Sequence, residues 1–230
     1  MSLRYKNNEN VIIKRLQISH DTNKSKIRAY FFEKEYEFFR KHIIGEKVLV
    51  AGSGLGHDSF ELAKYNKEVI GIEILDLILE KSNDLLKNEN INNVKFIKMD
   101  FNKLNYPDSS FDAVVLNMGT ISDFFNKSKI IKELLRVADI VYLDFYPPSK
   151  EGFEKRKKMY EEEGWINVKV EGKTIVSDDG LESASISEEE MTKIVNSTEA
   201  KAKYYPLCDF ATMAEIKKTV IKNIINPKYK

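Results

Sequence analysis

From Val48 onward the chain switches repeatedly between short apolar runs rich in β-branched residues and stretches whose apolar positions recur at helical spacing. That alternation points to one mostly parallel sheet flanked by helices, because successive parallel strands need a crossover that carries the chain back to the same end of the sheet. The runs are KVLVAG at 47–52, EVIGIEI at 68–74, VKFIKMD at 94–100, FDAVVLN at 111–117 and DIVYLDF at 139–145. Between them, Leu75, Ile78, Leu79, Leu85 and Leu86 fall mostly on one helical face, and Ile131, Leu134, Leu135 and Ala138 follow the i, i+3, i+4, i+7 rule. Upstream, Phe32, Tyr36, Phe39 and Ile43 predict an amphipathic helix over residues 25–44 that Gly45 ends. Downstream, 151–163 reads as a solvent-facing helix stopped by Gly164, and residues 166–176 alternate around Gly172 as a hairpin. Ser187 and Glu190 form a capping box ahead of a short helix, and 200–210 is a last strand with a partner strand beyond it left open.

Composition limits the function classes. The chain has 42% hydrophobic and 32% charged residues with only 10 Gly and 5 Pro, which excludes disordered, collagenous and low-complexity classes. Cys208 is the single cysteine, so no internal disulfide forms, and three scattered histidines give no metal-ligand spacing. The longest uncharged run, residues 113–122, is half of the roughly 20 residues that a spanning helix needs. Lys, Arg and Asn break every apolar pair near the N-terminus, so the expected compartment is the cytoplasm. A net charge of +1 argues against a long phosphate backbone as the main partner. No membrane partner is expected, a nucleic acid is disfavoured, and the oligomeric state is open; the small-molecule substrate expected below rests on a family resemblance.

The chemistry-bearing signal follows the first run. Gly52, Ser53, Gly54, Leu55 and Gly56 make a sharp turn into a helix that starts near His57 or Asp58, where absent Cβ atoms let backbone approach a ligand. Glu73 ends the second run, where a carboxylate can accept hydrogen bonds from both hydroxyls of an adenosine ribose. Dinucleotide folds share both features but carry G-x-G-x-x-G/A. Here the spacing is G-x-G-x-G, and His57 occupies the place of the third small residue, which weakens a pyrophosphate reading. The third run ends in Asp100 and continues as DFNKLNYPDSSFDAVVLNMG.

With these residues the chain resembles the class I S-adenosylmethionine-dependent methyltransferases over residues 47–145. The pattern D-x-x-x-L-x-x-P-D-x-S-F-D-x-V, present from Asp100 to Val114, is similar to the small-molecule branch, and VLVAGSGLGHD to thiopurine-methyltransferase-like turns. The resemblance implies a Rossmann-like, seven-stranded, mostly parallel sheet flanked by helices, with a helical N-terminal cap, and S-adenosylmethionine as cofactor. It implies that Gly52, Ser53, Gly54 and Gly56 lie under the amino-acid portion of the cofactor, that Glu73 with Ile74 holds the ribose, and that Asp100 and Phe101 meet the adenine. The family usually carries an acid two residues before the first glycine; Val50 stands there, and Asp58 is the candidate substitute.

Ligands of open α/β sheets sit beyond the carboxyl ends of the strands, so Asn117 and Met118 after the fourth run are expected near the sulfonium. Asn117-Met118-Gly119-Thr120 lacks the (Asp/Asn)-Pro-Pro-aromatic signature of enzymes that methylate nucleobase amines. Asp144 and Tyr146 are candidates for contacting the acceptor or taking its proton, and Tyr30 and Phe31 for facing the sulfonium, which makes Tyr30, Asp144 and Tyr146 the catalytic candidates. The expected division is a cap or lid at 1–44 and a methyltransferase domain at 45–230 with an insertion at about 150–186. Residues 1–30 are expected to form a lid ordered by the cofactor, cut near Lys14, Arg15 or Lys24 when free. The expected function is methyl transfer to an N, O or S atom of a small metabolite. Alternatives are aminopropyl transfer on the same fold, a non-catalytic S-adenosylmethionine binder, and a protein or RNA methyltransferase. Glu73→Ala is expected to weaken cofactor binding while the fold persists.

Overall fold

The computed structural model describes residues 24–219 without a break, together with Val11, Ile13, Lys14 and Asp21. Most of the expected lid, and residues 220–230, lie outside the described residues. Lys14 pairs with Asp179 and sits 4.7 Å from the centre of the Trp165 ring.

Helix α1 (Lys26–His42) starts at Ser25, whose hydroxyl accepts the Arg28 N–H, and ends with Arg40, Lys41 and His42 near its negative pole. The five expected strands are β1 (Lys47–Ala51), β2 (Glu68–Glu73), β3 (Val94–Lys98), β4 (Phe111–Leu116) and β5 (Ala138–Phe145). Helices α2 (His57–Ala63), α3 (Asp76–Asn88) and α4 (Lys127–Val137) supply the crossovers, with a 3-10 turn at Thr120–Asp123 after β4. Helix α5 (Lys150–Glu162) leads into a three-stranded sheet of β6 (Lys169–Glu171), β7 (Thr174–Val176) and β8 (Glu182–Ala184). Helix α6 (Glu188–Asn196) carries the expected Ser187–Glu190 capping box, and β9 (Ala200–Cys208) and β10 (Ala211–Lys218) complete the main sheet. The strand that the sequence left open is therefore β10.

The main sheet runs β3-β2-β1-β4-β5-β10-β9. Strands β1 to β5 are parallel, and β10 alone runs against its neighbours β5 and β9. Because β1 is flanked by β2 on one side and β4 on the other, the connection reverses direction there and opens a crevice at the carboxyl ends of β1 and β4. Apolar clusters fill both faces, one under α1 and α2 and the other under α4 and α6.

Helix α1 departs from its expected stripe. Instead of Phe32, Tyr36, Phe39 and Ile43 alone, its buried face is Arg28, Phe31, Phe32, Glu35, Phe38 and Phe39, with Tyr36 only half-buried. The helix packs on α2, on α5 and on β9 at once, so it buries a wider arc than a one-sided amphipathic pattern describes, and two charged side chains fall inside it.

Candidate active site

The glycine turn places backbone rather than side chains at the crevice. Gly52, Gly54 and Gly56 have φ of +68°, +54° and +97°, a region that a Cβ disfavours. At Gly56 space is also decisive, since a Cβ would lie 2.5 Å from the Phe96 ring. Glu73, at the end of β2, faces this turn. Its Oε2 accepts the Gly54 N–H at 3.2 Å, and its Oε1 accepts the N–H groups of Ile74 at 2.7 Å and Leu75 at 3.0 Å. A carboxylate has about four acceptor positions, so three backbone donors leave room for a hydroxyl.

Beyond Glu73 lies a cleft lined by Gly52, Glu73, Ile74, Met99, Asp100, Phe101, Asn102 and Phe124. Phe101 meets Phe124 edge to face at 5.3 Å, and Asp100 Oδ1 accepts both the backbone and side-chain N–H of Asn102. One end is thus aromatic and flat while the other presents a carboxylate. Phe124 was not among the sequence candidates, because it follows the 3-10 turn and only the packing of that turn brings it against Phe101.

On the other side of the glycine turn, Asn117 Nδ2 donates to Asp58 Oδ2 at 3.1 Å across the β1/β4 crevice. Asn117 Oδ1, at the end of β4, and Ser53 Oγ, in the glycine turn, are buried with no hydrogen-bond partner. Withdrawal from solvent raises the Asp58 carboxyl to about 6 against the opposing Asn117 bond. After β4, Met118 and Gly119 both adopt left-handed φ of +64°, which turns the Gly119 N–H onto Asp144 Oδ1 at 2.8 Å. Asp144 is fully buried, its Oδ2 has no partner, and burial lifts its carboxyl to about 7.

Of the acceptor-side candidates, Tyr30 is half exposed and lines a recess of about 200 Å³ with Lys26, Ile27, Lys155, Cys208, Asp209 and Phe210. Tyr146 is buried under Gly119, with the Arg156 guanidinium 4.1 Å from its ring centre and Phe31 and Phe210 at its other sides. Phe31 is fully buried among Phe32, Tyr146 and Phe210. Three groups escaped the sequence analysis. Arg28 donates from Nε to Glu163 Oε1 at 2.8 Å and lies 3.9 Å from Met118 Sδ; Glu35 is fully buried beside them. Arg28 and Glu35 stand seven residues apart, two helical turns on one face, and that spacing was the available signal.

The groups present suit S-adenosylmethionine: an acceptor for ribose hydroxyls, an aromatic cleft for adenine, and unpartnered polar atoms beside the glycine turn. Among the described residues no cluster of His, Cys, Asp or Glu is arranged to hold a metal ion, and no helix is long and apolar enough to cross a membrane.

Comparison with known proteins agrees with this geometry. The chain is 28% identical to the ubiquinone/menaquinone biosynthesis C-methyltransferase UbiE of Ectopseudomonas mendocina over 142 residues, 58% of this chain and 54% of that protein. It is 26% identical to an uncharacterized methyltransferase, YcgJ, of Bacillus subtilis over 106 residues, 44% of this chain and 42% of that one. The chain therefore spans about half the length of these curated relatives. Its fold matches the magnesium protoporphyrin IX methyltransferase of Synechocystis PCC 6803, solved with bound S-adenosylhomocysteine, with a TM-score of 0.65 at 16% identity, covering 92% of this chain and 96% of that one. A family profile described as a methyltransferase domain matches residues 44–212. That match takes in the glycine turn, Glu73, Asp100, Asn117 and Asp144 within one sheet, and the chain belongs to the S-adenosylmethionine-dependent methyltransferase family.

Proposed function

We propose that the protein transfers a methyl group from S-adenosylmethionine to an N, O or S atom of a small metabolite. The observation that carries this reading is the burial of the acceptor side: Asp144, Tyr146, Phe31 and Phe210 are buried, and a half-open recess of about 200 Å³ adjoins Phe210. A recess of that size suits the reactive head of a small metabolite better than the broad surface of a polypeptide or RNA. The near-neutral net charge of +1 points the same way.

On this reading Gly52, Ser53, Gly54 and Gly56 lie under the methionine portion, Glu73 and Ile74 hold the ribose, and Asp100 and Phe101 meet the adenine. Asp58, Asn117 and Met118 border the sulfonium end, with Tyr30, Asp144 and Tyr146 on the acceptor side. The bound cofactor supplies an already activated methyl group. The chain's own task is then to hold the acceptor about 3 Å from the methyl carbon, exclude water and accept a proton where one is released.

Carbon is a second acceptor reading, supported by two relatives named for C-methylation, UbiE and a sterol 24-C-methyltransferase of Aspergillus fumigatus. Incubation with methyl-labelled S-adenosylmethionine and fractionated cell extract tests both. Label is expected in the small-molecule fraction, and the bond formed identifies the atom. Label confined to protein or RNA would refute the proposal.

A further inference from the structure

Arg156 on α5 is fully buried, and among the described residues no carboxylate lies within ion-pair distance of it. Its guanidinium donates from Nη1 to Ser185 Oγ at 2.7 Å and from Nη2 to the Ser183 carbonyl at 3.0 Å and to Ser183 Oγ, which ties α5 to β8 and the residues just past it. Burying a guanidinium against neutral acceptors costs free energy that an acid partner would offset, so stability alone does not account for an arginine here. Its remaining face is not idle. The guanidinium carbon lies over the Tyr146 ring, 4.1 Å from the ring centre.

Tyr146 in turn stands against the turn that follows β4. A Cβ at Gly119 would lie 2.4 Å from the Tyr146 ring, so backbone and ring already touch there. Met118 and Gly119 both hold φ of +64°, a conformation that a methionine seldom adopts and that persists only where the surroundings impose it. The Gly119 N–H on Asp144 Oδ1 and the Thr120 hydroxyl on the Asn117 carbonyl fix the turn from within the main sheet. The Tyr146 ring fixes it from the side of residues 150–186. That ring is buried between Phe31, Phe210 and Arg156, and the Tyr146 carbonyl accepts the Ile186 N–H at 3.0 Å, where the insertion rejoins the main fold.

Resting on the reading that Met118 borders the sulfonium, we infer that Arg156 is a positioning residue for methyl transfer, holding the Tyr146 ring against Gly119 and, through that ring, the turn at the end of β4. A guanidinium suits this task because its plane stacks on an aromatic ring while its fork grips two hydroxyl-bearing residues at once. A lysine has neither plane nor fork. Transfer requires the acceptor and the methyl group to be held within a fraction of an ångström of their productive geometry, so slack in a left-handed turn beside the sulfonium slows the reaction without removing any group that touches it. The insertion at 150–186 is thereby joined to the floor of the site through one arginine and one ring.

The test compares wild type with Arg156→Met and Arg156→Lys as full chains saturated with S-adenosylhomocysteine. Amide hydrogen exchange is read by NMR at Gly119 and at two reference positions, Leu49 in β1 and Val141 in β5. In both variants the Gly119 amide is expected to exchange at least tenfold faster than in wild type, beyond any rise shared with the reference amides. With S-adenosylmethionine saturating, label transfer is expected to slow at least tenfold, read in whichever fraction of the cell extract takes the label. Should neither arginine variant fold, Ser185→Ala removes one anchor and leaves the guanidinium; the same pattern is expected there at about threefold. A rise at Gly119 no larger than at Leu49 and Val141 would make Arg156 a structural clamp and overturn the inference. So would transfer at the wild-type rate in a variant whose Gly119 amide has opened, or full recovery by Arg156→Lys. Label found only in protein or RNA would refute the small-metabolite reading, while the exchange and rate comparisons would still decide what Arg156 does.

Discussion

Replacing Glu73 by Gln separates the two tasks its carboxylate performs. The carboxylate accepts three backbone N–H groups, from Gly54, Ile74 and Leu75, and so ties the glycine turn to the end of β2. An amide has one oxygen. Oriented to keep Ile74 and Leu75, it turns its NH₂ toward the Gly54 N–H, donor against donor; turned over, it leaves the other two donors unmet. The better orientation loses one charge-assisted bond of about 1.5–3 kcal/mol and reduces two others to neutral bonds, so unfolding should become easier by about 2–4 kcal/mol. Loss of the charge facing the ribose should also weaken S-adenosylhomocysteine binding by about ten- to several-hundred-fold. Urea titration should show a lower midpoint at unchanged slope, with calorimetry on the folded protein giving the affinity. Stability within about 0.5 kcal/mol of wild type would refute the account of the turn, and unchanged affinity would remove Glu73 from the ribose site. Glu73→Ala strands all three donors, so the substitution that the sequence alone recommends confounds binding with folding.

If Glu73 serves a ribose beneath a cofactor without a pyrophosphate, S-adenosylmethionine and S-adenosylhomocysteine should raise the melting temperature and NAD and NADP should not; stabilisation by NAD alone would contradict the assignment. Arg28→Met leaves Glu163 buried and unpaired, so the variant should lose about 3–5 kcal/mol in urea unfolding, and a loss below 1 kcal/mol would show that the pair is not coupled. Asp144 has its carboxyl raised from 3.8 to about 7 by burial, so the folded state holds a proton that the unfolded chain has released. Stability from this group is therefore present at low pH and falls as pH rises through about 4 to 7, by about 3 kcal/mol between pH 5 and pH 8. Asp144→Asn should flatten that slope, and an identical pH profile in the two proteins would overturn the assignment.

The parallel sheet, its crossovers and the cofactor half of the site were legible along the chain because each is a local pattern. A strand, a glycine turn and a terminal acid within residues 47–73 fix their own geometry through backbone sterics and a carboxylate meeting nearby N–H groups. The capping box at Ser187 and Glu190 and the hairpin at Gly172 are local for the same reason. Everything that brings distant segments together was decided by tertiary packing. Strand β10 reads as a weakly patterned segment, and it earns its place only by pairing with both β5 and β9. Phe124 becomes a cleft wall because the turn after β4 folds back on Phe101. Arg28 and Glu35 belong to no motif and fall off the apolar stripe expected of their helix; burial arises from three elements closing over α1, and the sequence spacing of one helix carries no record of what will cover its other faces. Electrostatic environment depends on that coverage, which is why Asp144 was legible as a candidate at a strand end while its burial, and Glu35 altogether, emerged only from the fold.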